Sequence, residues 1–267
     1  MKNKILLGIG SALVGVALLA GGALTASAQV GTTTSSSRAT ARAAAQAERL
    51  QNIVNRADQE IARRVTALNT LSTRVNAMQK LSSGEKSSLS SSVQAQISAM
   101  NSLQARIAAD ANSTSSLKTD VQSITGSYRI FALMIPQGAI EAAADRVMTI
   151  VSNMTTIGAK LQTRVSALGS SASATVTAAL ADFNAKVADA NTQAQAAVSE
   201  VSGLVPDQGN QTQMQANTTA LKDARSKIQA AQKDLIAART DAGTIVKALI
   251  QQRAASTSTT PAATSSR

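Results

Sequence analysis

Residues 211–253, QTQMQANTTALKDARSKIQAAQKDLIAARTDAGTIVKALIQQR, place Met214, Asn217, Leu221, Ala224, Ile228, Ala231, Leu235, Ala238, Ala242, Ile245 and Leu249 at steps that alternate between three and four. Side chains so spaced share one side of an α-helix, and the mean step is that of a coiled-coil seam. A stripe this long, with no interruption, requires other helices to cover it. The fold class is therefore decided by whether the rest of the chain supplies them.

It does. Leu50, Val54, Ala57, Ile61, Val65, Leu68, Leu71, Val75, Met78 and Leu81 predict one helix over 40–81, on the order of 60 Å long at about 1.5 Å per residue. Ser82 and Glu85 have the spacing of a capping box and start a second helix carrying Leu89, Val93, Ile97, Met100, Leu103 and Ile107. Leu117, Val121, Ile124, Tyr128, Phe131 and Ile135 predict a third that stops at Pro136. A fourth over 138–168 ends at Gly169, a fifth over 172–204 ends at the Pro206–Gly209 turn, and the quoted segment is the sixth. A shift of 90 residues overlays Leu50 on Ile140, Leu71 on Leu161, Arg74 on Arg164 and Val93 on Phe183, as an internally duplicated helical hairpin would. The expected fold is all-α: an extended antiparallel helical bundle with coiled-coil-like seams.

The ends read differently. Lys2 and Lys4, the apolar run from Ile5 to Leu24 and the small residues Ala26-Ser27-Ala28 have the layout of a signal peptide over 1–28. The expected location is secreted or extracytoplasmic and associated with the cell surface. The apolar run is also long enough to span a bilayer, so an uncleaved leader would be an N-terminal membrane anchor. Residues 29–39 and 254–267 hold few side chains that burial could reward and are expected to be a disordered linker and a disordered tail flanking a bundle domain over 40–253.

Composition narrows function further. The 267-residue chain has no Cys and no His, which removes thiolate and imidazole chemistry: no disulfide, no Cys or His metal ligand, no Ser-His-Asp or Cys-His nucleophile. Asp110–Val121 resembles a calcium loop at its start but lacks the glycine at the sixth position and the glutamate at the twelfth. Glu141 and Asp145, four apart, are the nearest approach to an acid pair; with Arg146 adjacent they read as a solvated charge face. No catalytic residue, metal site or cofactor is expected, and the chain reads as a non-enzyme.

Two features could touch a partner. Arg42, Arg49, Arg56 and Arg63 recur every seven residues on a chain of net charge +11, a linear basic rail for an anionic envelope polymer or membrane surface, or simply a solubilising face. Nucleic acid is the least favoured partner, since no recognition motif accompanies the charge and the chain has one Tyr, two Phe and no Trp for stacking. The second feature is Ser127–Gly138, the most apolar stretch after the leader. Tyr128, Phe131, Leu133 and Ile135 there are either a core plug or an exposed docking hook.

The run from Tyr128 to Pro136, with Ala142–Arg146 and Lys160–Arg164, resembles uncharacterised secreted, Ala/Ser/Thr-rich helical proteins of candidate-phyla bacteria. The resemblance covers about the middle third of the chain and implies secretion and helix, but no activity. The reading is thus an exported, non-enzymatic helical interaction, spacer or cell-surface structural protein, with a protein partner or self-association expected. The alternative is an amphipathic protein that binds the membrane surface or an anionic envelope polymer through its basic helices.

Overall fold

The computed structural model describes residues 32–126 and 129–258, and the leader region 1–28 lies outside them. The described residues are helical almost throughout, with no strand: α1 Thr32–Ala77, α2 Ser83–Ala109, α3 Thr114–Gly126, a π-helical turn Ile130–Met134, α4 Ile135–Ser166, a short 3-10 turn Gly169–Ser171, α5 Ala174–Val201 and α6 Gln211–Ser258. The chain divides into two compact units, Met1–Ala45 and Gln46–Arg267. The bundle described below is the second.

Inter-helix bonds fix the directions. Gln104 Nε2 on α2 donates to Asp58 Oδ1 on α1 at 3.1 Å, which folds the two about the turn at 78–82 as an antiparallel hairpin. On α5 and α6, Lys186 pairs with Asp241 at 3.3 Å and Lys227 pairs with Glu200 at 2.5 Å. Fourteen residues forward from Lys186 to Glu200 thus match fourteen backward from Asp241 to Lys227, two heptads in antiparallel register. Ala190, Ala194 and Ala197 on α5 and Ala224, Ala231 and Ala238 on α6 are fully buried. Small side chains at these seam positions let the two backbones approach closely.

Between α4 and α5, a Cβ added at Gly158 would stand 2.7 Å from the Phe183 ring. Phe183 is fully buried, so glycine on α4 makes the room for the largest side chain of the core. The α1–α2 and α4–α5 hairpins turn at corresponding places. Ala77 and Ser166 end the first arms, and Ser83 and Ala174 begin the second, close to the 90-residue shift seen in the sequence.

Asp145 joins the first hairpin to α4. Its Oδ1 accepts from the backbone N–H groups of Gln79, Lys80 and Leu81 at 2.8, 2.5 and 3.2 Å, in the turn between α1 and α2. Upstream, a Cβ at Gly138 would collide with Leu71 Cδ1, and the Arg64 guanidinium lies 5.1 Å from the centre of the Phe131 ring. Seven residues on α1, from 64 to 71, match seven from 131 to 138, so α1 and α4 run parallel.

Three boundaries differ from the sequence expectation. The first helix begins at Thr32 inside the expected linker, and the last continues to Ser258 inside the expected tail. Poor burial argues against tertiary packing, whereas elongating a formed helix needs only one further hydrogen bond per residue. Pro136 does not stop a helix but stands at the start of α4. The wide turn before it, in which the Ile135 N–H bonds to the Ile130 carbonyl, carries the backbone into α4 where proline tolerates its missing donor.

Gly158→Val should force the Phe183 ring aside and cost about 1–3 kcal/mol, typical of overpacking. Chemical denaturation checks this; unchanged stability would mean that α4 and α5 are free to move apart.

Candidate functional site

The expected rail is only partly a free basic face. Arg49, Arg56 and Arg63 are exposed along α1, and Arg42, also exposed, belongs to the other unit. Arg63 is engaged: Nη2 meets Glu60 Oε1 at 2.7 Å, and its guanidinium lies 4.7 Å from the centre of the Phe131 ring. Arg64, the next residue, also pairs with Glu60 Oε1 and bonds to the Glu60 backbone carbonyl at 3.2 Å. Burial pushes the Glu60 carboxyl up, but the hydrogen bonds and charges of Arg63 and Arg64 outweigh it, and the net shift is downward. Arg49 and Arg56 have no ion pair among the described residues.

The apolar segment is neither a plug nor a hook as a whole. Tyr128 lies outside the described residues. Leu133 is buried in the main core with Ile130 and Met134, and Ile135 packs half-buried against it. Phe131 does not plug the core: it is 38% exposed, with the two α1 guanidinium groups beside it. A π turn takes more residues per turn and so narrows the angular step between successive side chains, which rotates Phe131 away from the face that the regular stripe assigns to it. The structure thereby brings Arg63 of the rail and Phe131 of the apolar segment into one cluster.

Arg129, just upstream, has φ 46°, a left-handed conformation that costs a non-glycine residue about 1–2 kcal/mol. Its Nε meets the buried Asp207 at 2.9 Å, and Asp207 also accepts the Gly209 N–H at 2.9 Å. Asn217, which interrupts the α6 stripe, donates to the Val205 carbonyl at 2.8 Å. These bonds tie the α3–α4 junction and the start of α6 to the α5–α6 connection.

Glu141 and Asp145 correct the sequence reading most sharply, for neither is solvated. Asp145 is buried against the α1–α2 turn, and Glu141 is 1% exposed. Burial pushes the Glu141 carboxyl up to about 7; the Gln137 side chain offsets this in part, and the charge of Glu85 adds to it. Neither Glu141 oxygen has a partner in hydrogen-bonding geometry. Seven-residue spacing could have exposed another buried charge, Arg64, because Ala57 and Leu71 bracket it by one heptad each way. The sequence stripe instead stepped onto Val65, which is half-buried.

Between α4 and α5 lies an open groove of about 490 Å³, lined by Ser152, Thr155, Asn184, Asn191 and Gln195, with Lys80 of the α1–α2 turn at its edge. Lys80 Nζ reaches Ser152 Oγ at 3.2 Å. Among the described residues no group of three or more Asp or Glu could hold a metal ion, and no helix is long and apolar enough to cross a membrane. The chain matches no protein-family model, no curated protein and no solved structure.

Two outcomes follow from this geometry. Phe131→Ala should cost about 1–2 kcal/mol in thermal or urea unfolding, the worth of a half-exposed cation–π contact, and not the ~3–5 kcal/mol of a core aromatic. Because Glu141 has a raised folded-state pKa, the folded chain retains a proton that the unfolded chain releases. Its contribution is fullest below the ordinary glutamate value and is lost as pH rises to about 7. Glu141→Gln should remove about 2–3 kcal/mol of the stability difference between about pH 5 and pH 8, read from urea midpoints. An identical pH profile in the variant would contradict the burial of a titrating carboxyl.

Proposed function

We propose that the protein is an exported, non-enzymatic helical protein that serves as an interaction, spacer or cell-surface structural element. The observation that carries this reading is the two-heptad register of ion pairs between α5 and α6. Charges that interlock along two long helices hold them side by side and resist sliding, as a spacer or a rigid docking scaffold requires. The leader-like residues 1–28 support export. The partner is another protein or a second copy of the chain.

A second reading has one specific observation in its favour: Arg49 and Arg56 are exposed on α1 and have no ion pair among the described residues. On this reading the basic face binds an anionic envelope polymer or membrane surface, and Arg63 contributes less because Glu60 already neutralises it.

Fractionation of native cells combined with crosslinking tests the first reading. Recovery in an envelope or extracellular fraction, crosslinked to a discrete neighbour, is expected; a wholly cytoplasmic, uncrosslinked protein would overturn it. For the second, polyphosphate binding is measured with rising salt. Replacing Arg42, Arg49 and Arg56 together with Gln should weaken binding and flatten its salt dependence, while Arg63→Gln alone changes little. Equal binding by the triple variant would leave these arginines as a solubilising face.

A further inference from the structure

The bundle leaves a second surface that the sequence did not single out. On α4, Ile150 and Ile157 are each 47% exposed; on α6, Ile236 and Ile250 are 68% and 64% exposed. All four stand on heptad-related positions: 150 and 157 on one helix, 236, 243 and 250 on the other, with Gly243 in the middle place.

The register puts the two rows side by side. Gly158 touches Phe183, which lies three residues before Lys186, and Lys186 pairs with Asp241. Because α4 and α6 both run antiparallel to α5, they are parallel, and Gly158 is level with Thr244, three residues after Asp241. Ile150 is then level with Ile236, and Ile157 with Gly243.

The same contacts identify the shoulders of the helices. Met148, Ser152 and Thr155 face the groove toward α5, so Ile150 and Ile157 occupy the opposite shoulder of α4, beside α6. Lys227 and Asp241 mark the α5 side of α6, and Ile236 and Ile250 stand about 140° and 180° round the helix from Asp241, away from α5. Leu161 and Val165 meet Ile245 in the core directly beneath. Two parallel helices thus carry rows of exposed aliphatic side chains that flank a shared seam, and at Gly243 a Cβ would meet nothing within 4 Å.

The charge around this seam has one sign. Arg146, Lys160 and Arg164 on α4 and Arg239 on α6 are exposed and have no ion pair among the described residues. No acidic residue occurs between Asp145 and Asp182, and Asp223, Asp234 and Asp241 fall on the α5 shoulder of α6.

From the juxtaposition of these two aliphatic rows with their rim of unpaired cations, we infer that the α4–α6 seam is a docking site for an amphipathic helix of another protein, with acidic residues flanking its apolar stripe. The seam between two parallel helices takes a third helix by ridge-and-groove packing, whereas a bilayer presents a plane. A second copy of this chain would bring the same positive rim to the contact. The length from Ile150 to Arg164, about 21 Å, matches about four turns of a partner helix. This surface deepens the interaction reading above and gives the partner its chemistry.

The test uses the full chain and a fluorescein-labelled synthetic peptide of three heptads, Leu at the seam positions and Glu beside them, against a scrambled peptide of the same composition. Fluorescence anisotropy should saturate with the heptad peptide and not with the scramble. Ile150→Ser with Ile236→Ser should weaken binding at least tenfold, and Gly243→Trp, which fills the open place, should do the same. Replacing Arg146, Lys160 and Arg164 with Gln should weaken binding and reduce its salt dependence, whereas Arg49→Gln with Arg56→Gln should leave it unchanged.

Since the substituted side chains are exposed, thermal unfolding by circular dichroism should stay within a few degrees of the parent. Binding that survives both seam variants, or that equals the scramble, would overturn the proposal, as would preferential binding to phosphatidylglycerol vesicles with the same dependence on the isoleucines. Discrete neighbours crosslinked in native cells together with absent peptide binding would remove this surface and leave the broader interaction reading in place.

Discussion

One carboxylate sets the level at which the two halves of the bundle meet. Asp145 on α4 accepts three successive N–H groups from the turn between α1 and α2, donors that lie outside the hydrogen-bond ladders of both helices. A turn with its amides directed at one oxygen cannot slide along α4. The seven-residue steps that follow, Leu71 against Gly138 and Arg64 beside Phe131, are then held in phase. The capping box at Ser82 and Glu85 starts α2 from the same turn, and Lys86 closes the end of α1 by donating to the Asn76 and Met78 carbonyls at 3.0 and 2.8 Å.

The second half rests on a different device. Between α5 and α6 the seam is rich in alanine, which buries little area per contact at about 25 cal/mol per Å² but permits close approach. Ion pairs two heptads apart then choose among registers that an alanine seam alone leaves nearly equivalent. Half-buried pairs at the edge of a seam contribute on the order of 1 kcal/mol each, so their effect is on alignment more than on stability. This alignment places Ile150 level with Ile236 and thereby creates the α4–α6 seam. Position along a helix, determined by interactions on one side, decides what the other side presents.

Much of this was legible in the sequence. The stripes on residues 50–81, 89–107 and 214–249 mark helices whose buried faces are largely those expected, because steps of three and four keep side chains on one face. Asn217 was legible as a member of its stripe, though not as the donor that holds the α5–α6 connection. What could not be read was set by partners distant in sequence. Asp145 looks like a surface acid beside Arg146 until a turn some 65 residues earlier is laid against it. Arg64 falls on a heptad position of the seam, but its charge disguises it. Phe131 follows the apolar step pattern, yet the π turn alters the angular period where that pattern was being counted.

Amide hydrogen exchange at Gln79, Lys80 and Leu81, compared between the parent and Asp145→Asn, tests the claim about the anchoring carboxylate most directly. The expected result is a loss of protection at these amides that spreads along α1 and α2, while α5 and α6 keep the protection of the parent, so that the first hairpin opens as a unit of its own. Unchanged protection at the three amides, or a uniform loss across every helix, would contradict the anchoring role of Asp145.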